Sequence, residues 1–186
     1  LDIKTSPPIV VYRESMQKPG QEMEGKSPNK HNKFYIVCEP LEDNVYRAIK
    51  KGDIPEGRVS KKDTRLYAVL EKLGWSAKEA KKVRDVYNGN LLIDDTRGIV
   101  YIGEVQELIN DGYEQVMKQG PTAREPVIKL KVIVKDCKLH EDSIHRGPAQ
   151  VVPAIREAIR GSMNSGNAII YEPLQVLQID APADYM

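Results

Sequence analysis

Between His140 and Arg146 the chain sets two histidines, two acids and an arginine within seven residues, HEDSIHR, and then gives way to Gly147-Pro148 and an apolar run. Residues of these types support three kinds of chemistry. Two imidazoles and the Asp142 carboxylate are metal ligands, so a small metal-dependent enzyme using His140, Asp142 and His145 is one reading. Against it, the two histidines stand five apart, whereas helical zinc ligands stand three or four apart, and His31 is the only other histidine. A histidine beside acids is also the raw material of a general base. Yet no serine elbow or reactive-cysteine context accompanies it, and the chain has no G-x-x-x-x-G-K-[S/T] phosphate loop. The third reading is a recognition loop. A loop that runs into a helix start offers free backbone N–H groups and the positive end of the helix dipole. Arg146 there adds a two-pronged phosphate donor. The plain alternative is that His140 and Asp142 cap a turn and His145 is a surface residue.

A second turn bears on the choice. The stretch KSPNKHNK, Lys26 to Lys33, carries three lysines and no acid. If strands at Phe34–Cys38 and Val127–Lys135 share a sheet, both turns emerge at the same end of it. Lys26, Asn29, Lys30, His31 and Lys33 would then join His140, Asp142, His145 and Arg146 in one basic, hydrogen-bonding tip. Single-stranded or irregular RNA suits such a surface. Taken alone, KSPNKHNK is equally a solvated turn, and the run Lys78, Lys81, Lys82, Arg84 reads as a solvated helix face.

The elements that must position these turns are mixed. Ile9–Glu14 and Phe34–Cys38 are rich in β-branched and aromatic residues and read as strands. A long polar loop over Gln17–Lys33 separates them, and the two strands are expected to pair as a hairpin tipped by KSPNKHNK. From Leu41 to Asn88 the pattern is helical. Asp63 is a candidate N-cap for TRLYAVLEKL and Gly74 its stop, and Ser76 with Glu79 forms a capping box opening a helix to about Tyr87. Asn88-Gly89-Asn90 signals a turn, and Val105–Lys118 is amphipathic. VIKLKVIVK, Val127–Lys135, alternates Ile128, Leu130, Val132 and Val134 against lysines, the mark of a strand with one wet face. An amphipathic helix runs on to about Met163, with Pro148 or Pro153 in its first turn, and Gln175–Ile179 looks like a last strand. Strands and helices in this arrangement predict an α+β domain of two layers.

Composition bounds the rest. The 186 residues are 40% hydrophobic and 30% charged, with 28 basic against 27 acidic side chains. That is a globular balance, with no apolar run near the roughly 20 residues that cross a bilayer. A net charge of +1 argues against indiscriminate nucleic-acid binding and leaves room for a local basic patch. Cys38 and Cys137 sit in strand-like runs without metal-ligand spacing, as expected of a reduced, cytoplasmic protein. The missing initiator Met and the apolar run close to the end suggest a piece of a longer protein.

Taken together, KSPNKHNK, DCKLHEDSIHRGPAQ and the ending EPLQVLQIDAPADYM resemble the translation elongation factor 2 family in its archaeal form, and the likeness covers essentially the whole chain. The resemblance implies a division into residues 1–6, the tail of a third domain; 7–172, a fourth domain; and 173–186, the start of a fifth. It implies the two-layer α/β fold also found in the second domain of small-subunit ribosomal protein five. It implies that the parent factor drives GTP-dependent translocation of tRNA and mRNA, its fourth domain reaching the decoding region with the loop tips leading. By the same likeness His145 matches the histidine converted to diphthamide, a target of ADP-ribosylating toxins as well as of diphthamide-synthesis enzymes. His140 and Asp142 match partner positions of that loop, and KSPNKHNK the neighbouring tip. The implied partners are the ribosome, its rRNA and the tRNA–mRNA pair, with no membrane. GTP and Mg belong to the parent factor, and this segment is expected to hold no cofactor and to be no enzyme itself.

Overall fold

The computed structural model describes Lys4 and residues 11–60, 62–176, 178 and 180. Its strands are β1 (Arg13–Met16), β2 (Met23–Lys26), β3 (Lys33–Pro40), β4 (Gly57–Arg58), β5 (Val83–Tyr87), β6 (Asn90–Asp94), β7 (Leu130–Lys138) and β8 (Ala168–Tyr171). Its helices are α1 (Asp43–Lys51), α2 (Thr64–Lys72), α3 (Ala77–Ala80), α4 (Ile102–Lys118) and α5 (Pro148–Ser165), with a 3-10 turn at Ser143–Arg146.

Alternation in β7 organises the molecule. Leu130, Val132 and Val134 point into a core built with Phe34, Ile36 and Cys38 of β3 and the apolar faces of α4 and α5. Burying such a face is the main stabilising term in a sheet of this kind. Six strands run in the order β2-β3-β7-β6-β5-β4, antiparallel except for the β6–β7 pair, which α4 connects as a parallel crossover. A second apolar cluster lies on the other face. Leu91 and Ile93 of β6 meet Val45, Ile49, Leu66 and Leu70 from α1 and α2 there. The fold is therefore α+β as expected, and a small helical layer covers the β5–β6 end of the sheet on its second face. No helix among the described residues is long and apolar enough to cross a membrane.

Two glycines let α5 lie close. A Cβ on Gly25 would stand 1.9 Å from the Ala154 carbonyl oxygen, and one on Gly112 would stand 2.8 Å from the Ile155 Cβ. The first brings α5 onto β2, and the second brings α4 onto α5.

Several local expectations hold. Asp63 caps α2 by accepting from the Leu66 N–H, and Ser76 and Glu79 form the capping box. Pro148 occupies the first turn of α5, whereas Pro153 lies inside the helix. Other expectations are corrected. The partner of β3 in the hairpin is β2, inside the stretch read as loop, while β1 begins at Arg13 and pairs with β8 in a separate two-stranded sheet. Ile9 and Val10 lie outside the described residues. The helix opened by Ser76 stops at Ala80, and β5 follows it, because Val83 and Val86 are needed in the second core. Lys82 and Arg84 are consequently not on a solvated helix face: they pair with Asp95 and Asp94. The strand read at Val127–Lys135 runs three residues later, over β7. Gln175 and Val176 form no strand, and Leu177 and Ile179 lie outside the described residues.

Candidate nucleic-acid interface

Hairpin β2–β3 and the segment between β7 and α5 end at one edge of the sheet, because β3 and β7 are neighbours running antiparallel. The two turns meet there. Ring centroids of His31 and His140 are 4.8 Å apart, those of His31 and His145 4.7 Å, and those of His140 and His145 4.5 Å. Every histidine in the chain thus belongs to one cluster.

The first turn is closed by its own side chains. Ser27 N–H donates to the Asn32 carbonyl at 2.9 Å and Lys30 N–H to the Ser27 carbonyl at 2.8 Å. Lys30 takes φ 65°, a left-handed conformation that holds its exposed side chain at the apex. Ser27 Oγ donates to Asn29 Oδ1 at 2.6 Å, and the His31 N–H donates to the same oxygen at 3.1 Å.

The second turn is built on Asp142 and Arg146. Asp142 accepts from the Ile144 N–H at 3.1 Å and caps the 3-10 turn, while its own N–H donates to His140 Nδ1 at 3.0 Å. Arg146 is buried. Its guanidinium donates to the carbonyls of His140 and Glu141, pairs with Glu104, and lies 4.3 Å over the Tyr101 ring.

Cross-links join the turns. Fully buried Asn32 donates through Nδ2 to the His145 carbonyl at 2.8 Å and accepts at Oδ1 from the His140 N–H at 3.0 Å. Asn29 donates to the same His145 carbonyl at 3.0 Å, and its N–H donates to Gln150 of α5 at 2.8 Å. A carbonyl accepting two amide donors is fully satisfied, so the backbone at His145 is held from the opposite loop.

These contacts sort the expected site residues. Lys26, Lys30 and His31 are exposed at the tip, His140 and His145 half-exposed, and Lys33 is 3.6 Å from Glu24. Arg146 is buried, with Nη1 held by the loop carbonyls of His140 and Glu141 and Nη2 by Glu104 of α4, so these donors are not free for a phosphate, and Asn29 braces the two turns. Asp142 and His140 Nδ1 are engaged in turn hydrogen bonds, and no group of three or more His, Cys, Asp or Glu among the described residues is arranged to hold a metal ion. Sequence reading overlooked Asn32, whose polarity and place in a turn are unremarkable, and Lys138, which is opposed to Lys33 across β3 and β7.

The family model for elongation factor G, domain IV, matches residues 52–167. The chain is similar to elongation factor 2 of Thermococcus kodakarensis, 51% identical over 186 residues, which is 100% of this chain and 25% of that protein. Elongation factor 2 of Thermococcus onnurineus is 52% identical, and that of Pyrococcus furiosus 51%, with the same coverage. The chain thus spans about a quarter of the length of the curated relatives it matches. A solved structure from Thermus thermophilus shares the fold, with a TM-score of 0.52 and 18% identity over 89% of this chain and 18% of that one.

Proposed function

The chain belongs to the domain IV family of elongation factor G, and from that premise we propose that it is the ribosome-contacting domain of an archaeal-type elongation factor 2. In this reading residues 7–172 form the fourth domain, residues 1–6 and 173–186 belong to its neighbours, and the whole works in the cytoplasm. The domain carries out no reaction of its own; GTP and Mg act in other parts of the parent factor. Its task is to place a rigid tip against the tRNA–mRNA pair in the decoding region while the factor promotes translocation.

The observation that carries this is the meeting of two turns, distant in sequence, whose three imidazoles lie within 4.8 Å of one another. A short codon–anticodon duplex exposes 2′-hydroxyls and base edges in a wide, shallow minor groove, and it is read by shape. A factor serving every codon needs contacts to backbone and ribose, which position without specifying. Exposed Lys30, His31 and half-exposed His145 offer such contacts, and the buried Asn32–Arg146 framework keeps them in place. His145 is the residue that becomes diphthamide. A long arm ending in a permanent cation extends the reach of the tip without depending on pH. Diphthamide-synthesis enzymes, and ADP-ribosylating toxins where present, then count among its partners.

In the full-length factor, His145→Ala and Lys30→Ala should slow translocation or raise frameshifting while the melting profile stays unchanged. Wild-type rate and frame maintenance in both variants would overturn the assignment. Mass spectrometry of protein from its native source should find added mass on the peptide containing His145; an unmodified peptide would remove the diphthamide assignment.

A further inference from the structure

Lys26, Lys33 and Lys138 stand directly opposite one another on three adjacent strands. Lys26 is in register with Lys33 across β2 and β3, and Lys33 with Lys138 across β3 and β7. Directly opposed residues share a sheet face. Their neighbours Gly25, Phe34 and Cys137 are buried, so the lysines occupy the face turned away from α5. Strand spacing of about 4.8 Å makes this a row roughly 10 Å wide. Like charges set directly opposite destabilise a sheet. Among the described residues the row has one acidic partner, Glu24, 3.6 Å from Lys33 in a partly exposed pair that contributes little. Lys26 and Lys138 are exposed, and their side chains make no ion pair or hydrogen bond among the described residues.

One row further from the tip the sign reverses. Glu24, Tyr35 and Asp136 are in register on the same face. Cations thus line the edge beside the two turns, and acids stand immediately behind them. A polyanion is drawn to the edge and repelled from the sheet beyond it, which is how juxtaposed charge fixes register at an interface.

We infer that the row Lys26–Lys33–Lys138 is a seat for the phosphate backbone of A-form RNA, with Glu24 and Asp136 as its boundary, and that Lys138 is an RNA-binding residue. This rests on the reading of the tip given above. A line of point charges on adjacent strands suits a continuous run of phosphates better than the separate carboxylates of an acidic protein.

The test is fluorescence anisotropy of the 186-residue chain with a labelled hairpin RNA over a series of KCl concentrations. Removing one lysine–phosphate pair lowers the slope of log affinity against log salt by about 0.7–0.9. Lys138→Gln should show one such decrement, and the triple Lys→Gln variant about three times as much. Asp136→Asn should tighten binding, and Lys50→Gln on α1 should leave the slope unchanged. A wild-type slope for Lys138→Gln overturns the inference. So does equal competition by poly-glutamate and by unlabelled RNA at matched charge, which would point to an acidic protein partner. A wild-type slope for Lys138→Gln alongside impaired translocation of the His145 and Lys30 variants removes the row alone. A lowered slope with normal translocation in those two variants supports the row and overturns the functional reading.

Discussion

Asn32 holds His145 from across the tip: its Nδ2 donates to the His145 carbonyl at 2.8 Å, while its Oδ1 takes the His140 N–H at 3.0 Å. One fully buried carboxamide therefore sets the spacing of both histidines in the opposite loop. Asn32→Ala leaves both backbone groups without these partners and should destabilise the chain by about 1–3 kcal/mol. Hydrogen exchange offers the sharper readout, with the His140 amide losing protection while amides in the centre of β7 keep theirs. Unchanged protection at His140 would mean that the cross-link does not hold the loop.

Arg146 and Lys30 separate support from contact. Arg146→Gln removes the donors to the His140 and Glu141 carbonyls and the stacking on Tyr101. It should lower stability by about 1–3 kcal/mol. Lys30 is exposed at the turn apex, and Lys30→Gln should change stability by less than about 0.5 kcal/mol while weakening RNA binding. Thermal melts of the two variants side by side settle the matter; equal melting temperatures would put Arg146 back among the contact residues.

Close packing of α5 on the hairpin gives a third expectation. Gly25→Ala places a methyl group 1.9 Å from the Ala154 carbonyl oxygen, a backbone atom that gives way only if the helix moves. Overpacking of this kind costs about 1–3 kcal/mol or more. Gln150 in the first turn of α5 fixes Asn29, so the shift should also perturb the tip, seen as changed His145 and Asn29 amide resonances. Resonances identical to wild type would show that α5 and the hairpin are not coupled.

Stability should vary with pH in two windows of opposite sense. Asp85 is fully buried, with no hydrogen-bond partner for either carboxylate oxygen, and stands in register with Arg58. Burial, with Glu114 as a neighbouring acid, pushes its carboxyl from 3.8 up to about 8. Between those values the folded chain retains a proton that the unfolded chain has lost, so stability falls as pH rises through the window. Asp95 lies the other way: hydrogen bonds from Lys135 and Lys82 hold its carboxyl down to about 2, so its stabilisation is lost as pH falls from 3.8 toward that value. Urea unfolding at several pH values should show that Asp85→Asn flattens the decline on the alkaline side and leaves the acid side unaltered. A decline of undiminished steepness in that variant would assign it to another group.

How far the sequence reaches depends on whether a signal is local. Alternation in VIKLKVIVK, the Asp63 cap and the Ser76–Glu79 capping box are set by neighbouring residues, and each was readable. β2 is four residues containing Gly25, a strand that exists because α5 needs close approach at that point; nothing within MEGK announces it. β5 follows the one-turn α3 so closely that Val83 and Val86 suit a helix or a strand equally until the second core assigns them. The nearness of the two turns could be proposed from sequence by putting two strands in one sheet. The burial of Arg146 against Glu104 and the bridging role of Asn32 could not, because both depend on what distant chain segments supply.

The central claim is that the turns at His31 and His145 form one surface. Cross-relaxation between imidazole ring protons in solution tests it most directly. Nuclear Overhauser cross-peaks are predicted among all three histidine pairs, as centroid separations of 4.5 to 4.8 Å require. Cross-peaks between His140 and His145 alone, with none to His31, would contradict it.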